Sequence, residues 1–403
     1  MKRKLILFLV IIVNTVFYGQ EIVRIASYNV KQYPNNNSHT NELKTVIGQI
    51  NPDVLMLTEL DGNTAVQQVL TNVLTAKYKA STEVSIYWGT GNECAVFYKD
   101  SLFTYLGSTM IPADTRPIAW FKLVHKITKD TLMIFGVHLK ANTSGPTDPI
   151  KRSNEVDSLR KKTRLLSVKS NYIVLGDFNI LTSSEAAFQK LLDQSTAGYF
   201  YDPLNSIGNW ANNSAFAAVH TESATSLTAR FDMILYSQAI KDKTRVEYVD
   251  GSFKIMGNDG IHYNKNVTSG SNYWFTSNPA LGTAITAASD HLPVYADFQF
   301  GVSANAVSYT QTLPDKFELK QNYPNPFNPS TVISYNLPTA GFVTLKVYDL
   351  LGREVKTLIN EYQQAGIHNS QFSILNSKLP SSIYFYQLKV GNFVQTKKMV
   401  LLK

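Results

Sequence analysis

Tyr172-Ile-Val-Leu-Gly-Asp-Phe-Asn179 joins an apolar run to a short island of acid and amide. The run is brief, rich in branched residues and closed by glycine, so it reads as a buried strand. Asp177 and Asn179 alternate along an extended backbone, which allows both to point to one face. Five further islands stand on or beside apolar runs: Ser27-Tyr-Asn29, Thr58-Glu59, Val137-His138, Arg230-Phe-Asp232 and Ser289-Asp-His291. Their runs are Ile22–Ala26, Val54–Leu57, Leu132–Gly136, Met233–Tyr236 and Leu292–Phe298, the last two following their islands. Carboxylates, amides and imidazoles at strand ends are costly to bury unless they pair or bind an ion. Distributed this way, they point to one shared site at the rim of a sheet.

The strands alternate with helical stretches at Asn41–Ile50, Gly62–Ala76, Pro149–Ser170 and Ser183–Leu192, while Ala95–Val137 holds several consecutive strand-like runs. Alternation plus hairpins predicts a mixed sheet covered by helices. Two stretches, 203–229 and 250–288, are rich in Asn, Ser, Thr, Gly and Ala and read as long loops. Such loops are either functional or tolerated insertions. His220 and His262 lie in them and read as surface histidines. Cys94, the only cysteine, stands in an apolar strand and reads as a small buried hydrophobe.

At 403 residues, 44% hydrophobic and 17% charged, the chain has a globular composition and room for two domains. Lys2, Arg3 and Lys4 precede the short apolar run Leu5–Val13, with small Gly19 at a cleavage position, the pattern of a secretory signal. That run is too short to span a bilayer, and no other segment is a membrane-span candidate. With one cysteine there is no intramolecular disulfide, so stability has to come from core size.

The net charge of +8 resembles a nucleic-acid signal but is unevenly placed. Residues 1–20 carry three basic groups, and residues 301–403 carry ten against five acidic ones. That leaves 25 groups of each sign in 21–300. The segment with the islands has no overall basic field, so an anionic substrate has to be held by a local cation or a metal.

A boundary falls near 301–321. Asn322-Tyr-Pro-Asn-Pro-Phe-Asn-Pro329 packs three prolines into eight residues, which forbids a helix. Short runs follow at Thr331–Tyr335, Phe342–Tyr348, Gln371–Ile374, Ile383–Val390 and Phe393–Leu401, with Asp349-Leu-Leu-Gly352 as a turn. Their spacing predicts a small β-sandwich. The expected organisation is a signal peptide over 1–19, a first domain over 20–301, a linker over 302–321 and a second domain over 322–403.

The residue types of the islands suit hydrolysis of an anionic ester. Glu59 is a hard oxygen ligand of the kind Mg²⁺ takes alongside waters and phosphate oxygens. Asn29 can position a phosphate or orient that carboxylate. Asp177 beside Asn179 suits water activation next to an amide that fixes a phosphoryl oxygen. His291 supplies an imidazole whose ordinary pKa lies near working pH, and Asp232 can hold its tautomer.

Ala26-Ser-Tyr-Asn29, Leu57-Thr-Glu59, Gly136-Val-His138, Leu175-Gly-Asp-Phe-Asn179, Arg230-Phe-Asp232 and Ser289-Asp-His291 together resemble the ordered motifs of the endonuclease/exonuclease/phosphatase superfamily. The resemblance covers about 21–300. It implies a four-layer α/β sandwich of two packed mixed sheets flanked by helices. It also implies metal-dependent hydrolysis of a phosphoester by in-line attack of water. By the same resemblance, Glu59 is the main metal ligand, with Asn29 and Asp290 close to the ion. Asp177 aligns or deprotonates the water, Asn179 binds phosphate, and His291 paired with Asp232 stands at the scissile phosphate. His138 resembles the second histidine of the deoxyribonuclease branch, Glu93 its carboxylate partner, and Arg116 a phosphate-contacting arginine. Lys31 stands where apurinic-site endonucleases carry an acid, and Thr228-Ala-Arg-Phe-Asp-Met breaks the inositol-phosphatase pattern. Both departures favour the deoxyribonuclease-like branch.

Residues 314–403 resemble the type A sorting domain of bacterial type IX secretion. Asn322–Pro329, Val347-Tyr-Asp-Leu-Leu-Gly352 and Lys397-Lys-Met-Val-Leu-Leu-Lys403 carry that match. The resulting expectation is a secreted or surface-bound monomer, exported through the periplasm by the type IX machinery. Its expected cofactor is Mg²⁺, with Mn²⁺ or Ca²⁺ as alternatives. Its expected substrate is nucleic acid, DNA first and RNA as an alternative. A lipid phosphodiesterase resembling neutral sphingomyelinase, touching a membrane through Tyr273-Trp-Phe275, is the second reading. A non-catalytic surface binding protein is the third.

Overall fold

The computed structural model describes residues 20–35, 38–81, 93–142, 145–302, 314–328, 330–339, 341–363, 366–373 and 379–402. The expected signal segment at 1–19 lies outside the described residues, as does the side chain of Glu93. The chain divides into two compact units at 304/305.

The first unit is built on two mixed sheets. One runs in the order Val246–Tyr248, Val294–Phe300, Glu21–Tyr33, Val54–Leu60, Glu93–Lys99, Tyr78–Ala80, with Lys254–Ile255 added onto Val294–Phe300. The other runs Phe103–Ile111, Ile118–His125, Thr131–His138, Asn171–Asp177, Asp232–Ser237, Phe200–Tyr201. Each sheet contains one parallel pair, Glu21–Tyr33 with Val54–Leu60 and Thr131–His138 with Asn171–Asp177.

The continuous apolar runs are explained by burial on both faces. Along Asn171–Asp177, Ile173 and Leu175 enter the core between the sheets, while Tyr172 and Val174 face the outer helices. Ile234 divides from Met233 and Leu235 in the same way. The helices Asp148–Thr163 and Ala186–Leu192 pack on the outer side through Val156, Leu159, Phe188 and Leu191. The helices Thr40–Ile50 and Pro279–Ala288 cover the first sheet through Leu43, Ile47, Leu281 and Ile285. The result is a four-layer α/β sandwich.

Three expectations need correction. The segment 250–288 is not all loop: Pro279–Ala288 is a helix. Gly282, Thr283 and Thr286 are poor helix formers, and tertiary packing of one apolar face overrides them. His220 and His262 are not at the surface, being 0% and 3% exposed. His220 Nε2 bonds Trp210 O at 2.7 Å, and His262 lies between Asp259 Oδ1 at 2.6 Å and Ser269 O at 2.8 Å. The expected helix over Gly62–Ala76 changes to a π-helical turn at Val69–Val73. Cys94 is buried as expected.

The second unit pairs Glu318–Leu319, Ser330–Leu337 and Gly366–Ser373 in one sheet. Glu354–Gln363, Gly341–Tyr348, Ser382–Val390 and Phe393–Leu401 form the other. Ile333, Tyr335, Leu345, Val347, Tyr386 and Leu388 share its core. The strand Glu354–Gln363 has no counterpart in the sequence reading, because its polar residues mask the alternation that leaves Val355, Leu358 and Ile359 partly buried. Asp349–Gly352 turns as expected, with Gly352 N–H donating to Asp349 O at 3.0 Å.

Candidate active site

Strand register builds half of the site. In the second sheet His138 lies opposite Asp177, and Asp177 opposite Asp232, so three islands from three strands stand in one row. Gly176 makes that row feasible. Its φ is +135°, and a Cβ there would fall 1.9 Å from Val137 O. Only glycine lets the two strands approach so closely just before Asp177.

Backbone irregularity builds the other half. The pairing of Glu21–Tyr33 with Val54–Leu60 slips between Asn29 and Tyr33, and that of Val54–Leu60 with Glu93–Lys99 slips between Leu57 and Leu60. Glu59 sits inside the slip at φ 60°, facing Lys31 and Gln32 at φ 52° and 54°. Left-handed backbone at non-glycine residues costs about 1–3 kcal/mol each. The bulges re-aim Glu59 toward the second sheet.

Between the halves the side chains meet. Asn29 Nδ2 donates to Glu59 Oε1 at 2.9 Å and to Asp177 Oδ2 at 3.2 Å. His138 Nε2 is 3.6 Å from Glu59 Oε1 and 3.6 Å from Asp177 Oδ2. His291 Nδ1 is 2.8 Å from Asp232 Oδ2, and its Nε2 is 3.8 Å from Asp177 Oδ2. Asn179, at φ 54°, donates its backbone N–H to Asp177 Oδ1 at 3.0 Å and Nδ2 to Leu139 O at 3.2 Å. Asp290 is at the exposed rim, 3.6 Å from Lys31 Nζ. Arg116 donates from Nη1 to His138 O at 3.3 Å and Leu139 O at 2.8 Å.

The environments push the titrating groups apart. Burial raises the Asp177 carboxyl, and the neighbouring carboxylates of Asp232 and Glu59 add to this; against the opposing pull of His291, it reaches about 7. Burial works against the His291 imidazolium, but Asp232, then Asp177 and Asp290, outweigh it and hold its pKa well above the ordinary value. Burial, with Arg116 and His291 nearby, pushes His138 well below it. His138 is therefore neutral, and its contacts at 3.6 Å are not ion pairs. Two histidines with opposite protonation beside a shared carboxylate fit acid–base work.

A divalent cation fits this donor set. Ligand atoms of Glu59, His138 and Asp177 all lie within 4.8 Å of one another. Burial is the main cause that raises the Asp177 carboxyl, with the carboxylates of Asp232 and Glu59 adding to it, and a cation beside it would favour its charged form. The two carboxylates are hard oxygen donors of the kind Mg²⁺, Mn²⁺ and Ca²⁺ take, and the imidazole is a donor that transition metals accept. Asp232 Oδ1 and His138 Nδ1 are buried with no hydrogen-bond partner among the described residues.

Several supporting residues escaped the sequence reading. Thr221 Oγ1 accepts the backbone N–H of Asp232 at 2.9 Å. Glu222 bridges the backbone of His291, and its carboxyl is raised by burial. Asp148, Arg152 and Glu155 lie buried on one face of their helix. Their i, i+4, i+7 spacing was a readable signal of a polar, buried face.

The family model described as Endonuclease/Exonuclease/phosphatase family matches residues 26–291. This chain belongs to that family. Endonuclease/exonuclease/phosphatase family members act on phosphoesters, and this chain is a hydrolase of that kind. A second model, described as a secretion system C-terminal sorting domain, matches residues 321–402. That domain marks the chain for export across the outer membrane, to the cell surface or beyond.

Similar solved structures include a humanized D. rerio TDP2, 17% identical, with 69% of this chain and 98% of that chain covered and a TM-score of 0.48. The human Nocturnin catalytic domain is 18% identical, with 70% and 97% covered and a TM-score of 0.47. A family protein from Bacteroides thetaiotaomicron is 14% identical, with 70% and 99% covered and a TM-score of 0.47. No curated protein matches the chain. Among the described residues no helix is long and apolar enough to cross a membrane.

Proposed function

We propose that this protein is an exported, divalent-metal-dependent phosphodiesterase that hydrolyses nucleic-acid phosphodiesters, with DNA as its first substrate. The observation that carries this reading is the convergence of Glu59, Asn29, Asp177 and the His291–Asp232 pair on one rim. The role of each residue follows from its surroundings. Asp177, joined to Glu59 through Asn29 and 3.8 Å from His291 Nε2, suits orienting an attacking water beside the metal. His291, held as imidazolium, suits stabilisation of charge on the phosphoryl group. Asp232 fixes its tautomer from Nδ1. Asn29 keeps Glu59 and Asp177 in register, and Arg116 and Lys31 bring positive charge to the rim.

Glu59, His138 and Asp177 would hold the metal, with Asn29 and Asp290 bordering it. When bound, Mg²⁺ or Mn²⁺ supplies the positive charge that the charge-balanced segment 21–300 lacks.

A lipid phosphodiester is the second reading. Tyr273 is 59% exposed and Ile261 71% exposed, both within the segment 250–288. Phe275 is buried, and the Trp274 indole donates to Asn258 O at 2.9 Å, so Tyr273 is the outward member of that trio.

The test is an assay of the purified full chain on plasmid DNA, RNA, sphingomyelin and a chromogenic phosphodiester, with Mg²⁺, Mn²⁺, Ca²⁺ or chelator. Metal-dependent cleavage of DNA is expected. Turnover of sphingomyelin without DNA cleavage would select the second reading, and no metal-dependent turnover on any substrate would sink both.

A further inference from the structure

Glu155 is 0% exposed, on the buried face of the helix Asp148–Thr163. Both of its carboxylate oxygens are used, each by a backbone N–H. Oε1 accepts the backbone N–H of Arg116 at 2.9 Å, and Oε2 accepts that of Lys140 at 2.9 Å. These two points of the chain flank the site. Lys140 follows His138 by two residues, and Arg116 returns its guanidinium to Leu139 O at 2.8 Å. A ring is closed: Glu155 to the Arg116 backbone, the Arg116 side chain to Leu139 O, and the N–H of that same peptide group back to Glu155. Arg152, one turn earlier on the helix, donates to Lys140 O at 2.8 Å, so the N–H and the C=O of one residue are both held from this helix.

Burial disfavours the charged form of this carboxylate, which only the two backbone N–H groups and the Arg116 charge oppose, and an apolar residue would serve this helix face better if packing were its only duty. What the carboxylate provides is geometry. Two backbone donors that are far apart in sequence are held by one rigid planar group, and an amide has only one accepting oxygen to replace it. We infer that Glu155 is a positioning residue for hydrolysis: it holds Arg116 against the end of the strand Thr131–His138, so that the guanidinium faces the reacting phosphate. The inference rests on the hydrolase reading above and adds the residue that aims its arginine.

The test is a cycle of Arg116→Ala, Glu155→Gln and the double variant in the full chain, assayed on the chromogenic phosphodiester with Mn²⁺. Glu155→Gln is expected to lose about 10²-fold in kcat, the scale of loss from misplacing a reacting group by an ångström. The double variant is expected to be no slower than Arg116→Ala alone. Losses that multiply, or a Glu155→Gln variant at the wild-type rate, would overturn the inference. A second readout needs no turnover: labelling of Arg116 by phenylglyoxal, followed by mass spectrometry, is expected to speed up several-fold in Glu155→Gln. An unchanged labelling rate would refute the positioning role even in a protein whose substrate assay had failed. Inactivity of the wild type on every substrate, with labelling changed as expected, would instead count against the hydrolase reading. Glu155→Asp, which keeps the charge and shortens the reach, carries the same tests if Glu155→Gln does not fold.

Discussion

His291 Nδ1 lies 2.8 Å from Asp232 Oδ2, although the two residues are 59 positions apart and His291 precedes a strand of the first sheet while Asp232 opens a strand of the second. That contact sets the tautomer of the imidazole and opposes the effect of burial on its charge. Asp232→Asn keeps the shape and removes the charge. The predicted outcome is a fall in kcat of about 10²–10⁴-fold, the usual worth of a positioned acid–base group. Initial rates on the chromogenic phosphodiester check this, and a loss below tenfold would remove the pair from the mechanism.

Metal is predicted to bind without substrate. A cation held by Glu59, His138 and Asp177 binds the folded state alone, so it stabilises by about 2.7 kcal/mol at a hundredfold excess over Kd. Thermal unfolding of the full chain with Mn²⁺ and with chelator should show an upward shift. Glu59→Gln should abolish most of that shift by removing a ligand charge. A shift of equal size in that variant would place the ion elsewhere.

Gly176→Ala is predicted to disrupt the row of His138, Asp177 and Asp232. The added Cβ would meet Val137 O at 1.9 Å, a backbone atom that cannot move without parting the strands. The φ of +135° adds strain of its own. We expect a loss of at least about 3 kcal/mol, within the range for overpacking plus a forbidden backbone. Chemical denaturation measures it, and a variant within about 0.5 kcal/mol of wild type would contradict the close approach.

Asp202 and Arg230 form a bidentate pair at 2.9 and 2.7 Å, with side chains 2% and 1% exposed. Arg230 also lies over the Trp210 ring, 5.0 Å from its centroid. Removing one partner leaves a buried charge unpaired, which costs about 3–5 kcal/mol. Asp202→Ala should therefore destabilise the chain by that amount while leaving the second unit's unfolding transition unmoved. Differential scanning calorimetry distinguishes the two.

His220 gives a pH dependence of stability. Burial lowers its pKa below the ordinary histidine value, and its Nε2 donates to Trp210 O. The unfolded chain therefore takes up the proton first as pH falls. Stability contributed by neutral His220 is present above the unfolded pKa of about 6.5 and is lost as pH drops through the lower folded value. Denaturation at pH 7.5 and pH 5 should show a smaller drop for His220→Gln than for wild type. Equal drops would mean that His220 does not titrate in this way.

Much of the fold was legible because burial on both faces leaves a direct trace. Strands such as Tyr172–Leu175 and Met233–Tyr236 are apolar without interruption, and their polar ends stand out against that background. The helix Pro279–Ala288 was not legible, since Gly282 and two threonines hide an apolar face that matters only once it packs on the core beside Thr40–Ile50. His220 and His262 were misread for a related reason. Their neighbours are small and polar, and backbone carbonyls satisfy them in the fold.

By itself the sequence determined the layered architecture, the order of the islands and the sorting segment at the C-terminal end. Those follow from local patterning, in which a residue's own neighbours carry the signal. Only the tertiary structure decided which islands touch. The row His138, Asp177, Asp232 depends on strand register, and register depends on pairing between segments far apart in the chain. The aim of Glu59 depends on a bulge, a slip of pairing that no local pattern records. The protonation of the two histidines depends on burial and on which carboxylate lies beside each ring, and so on distances that exist only once the two sheets have packed.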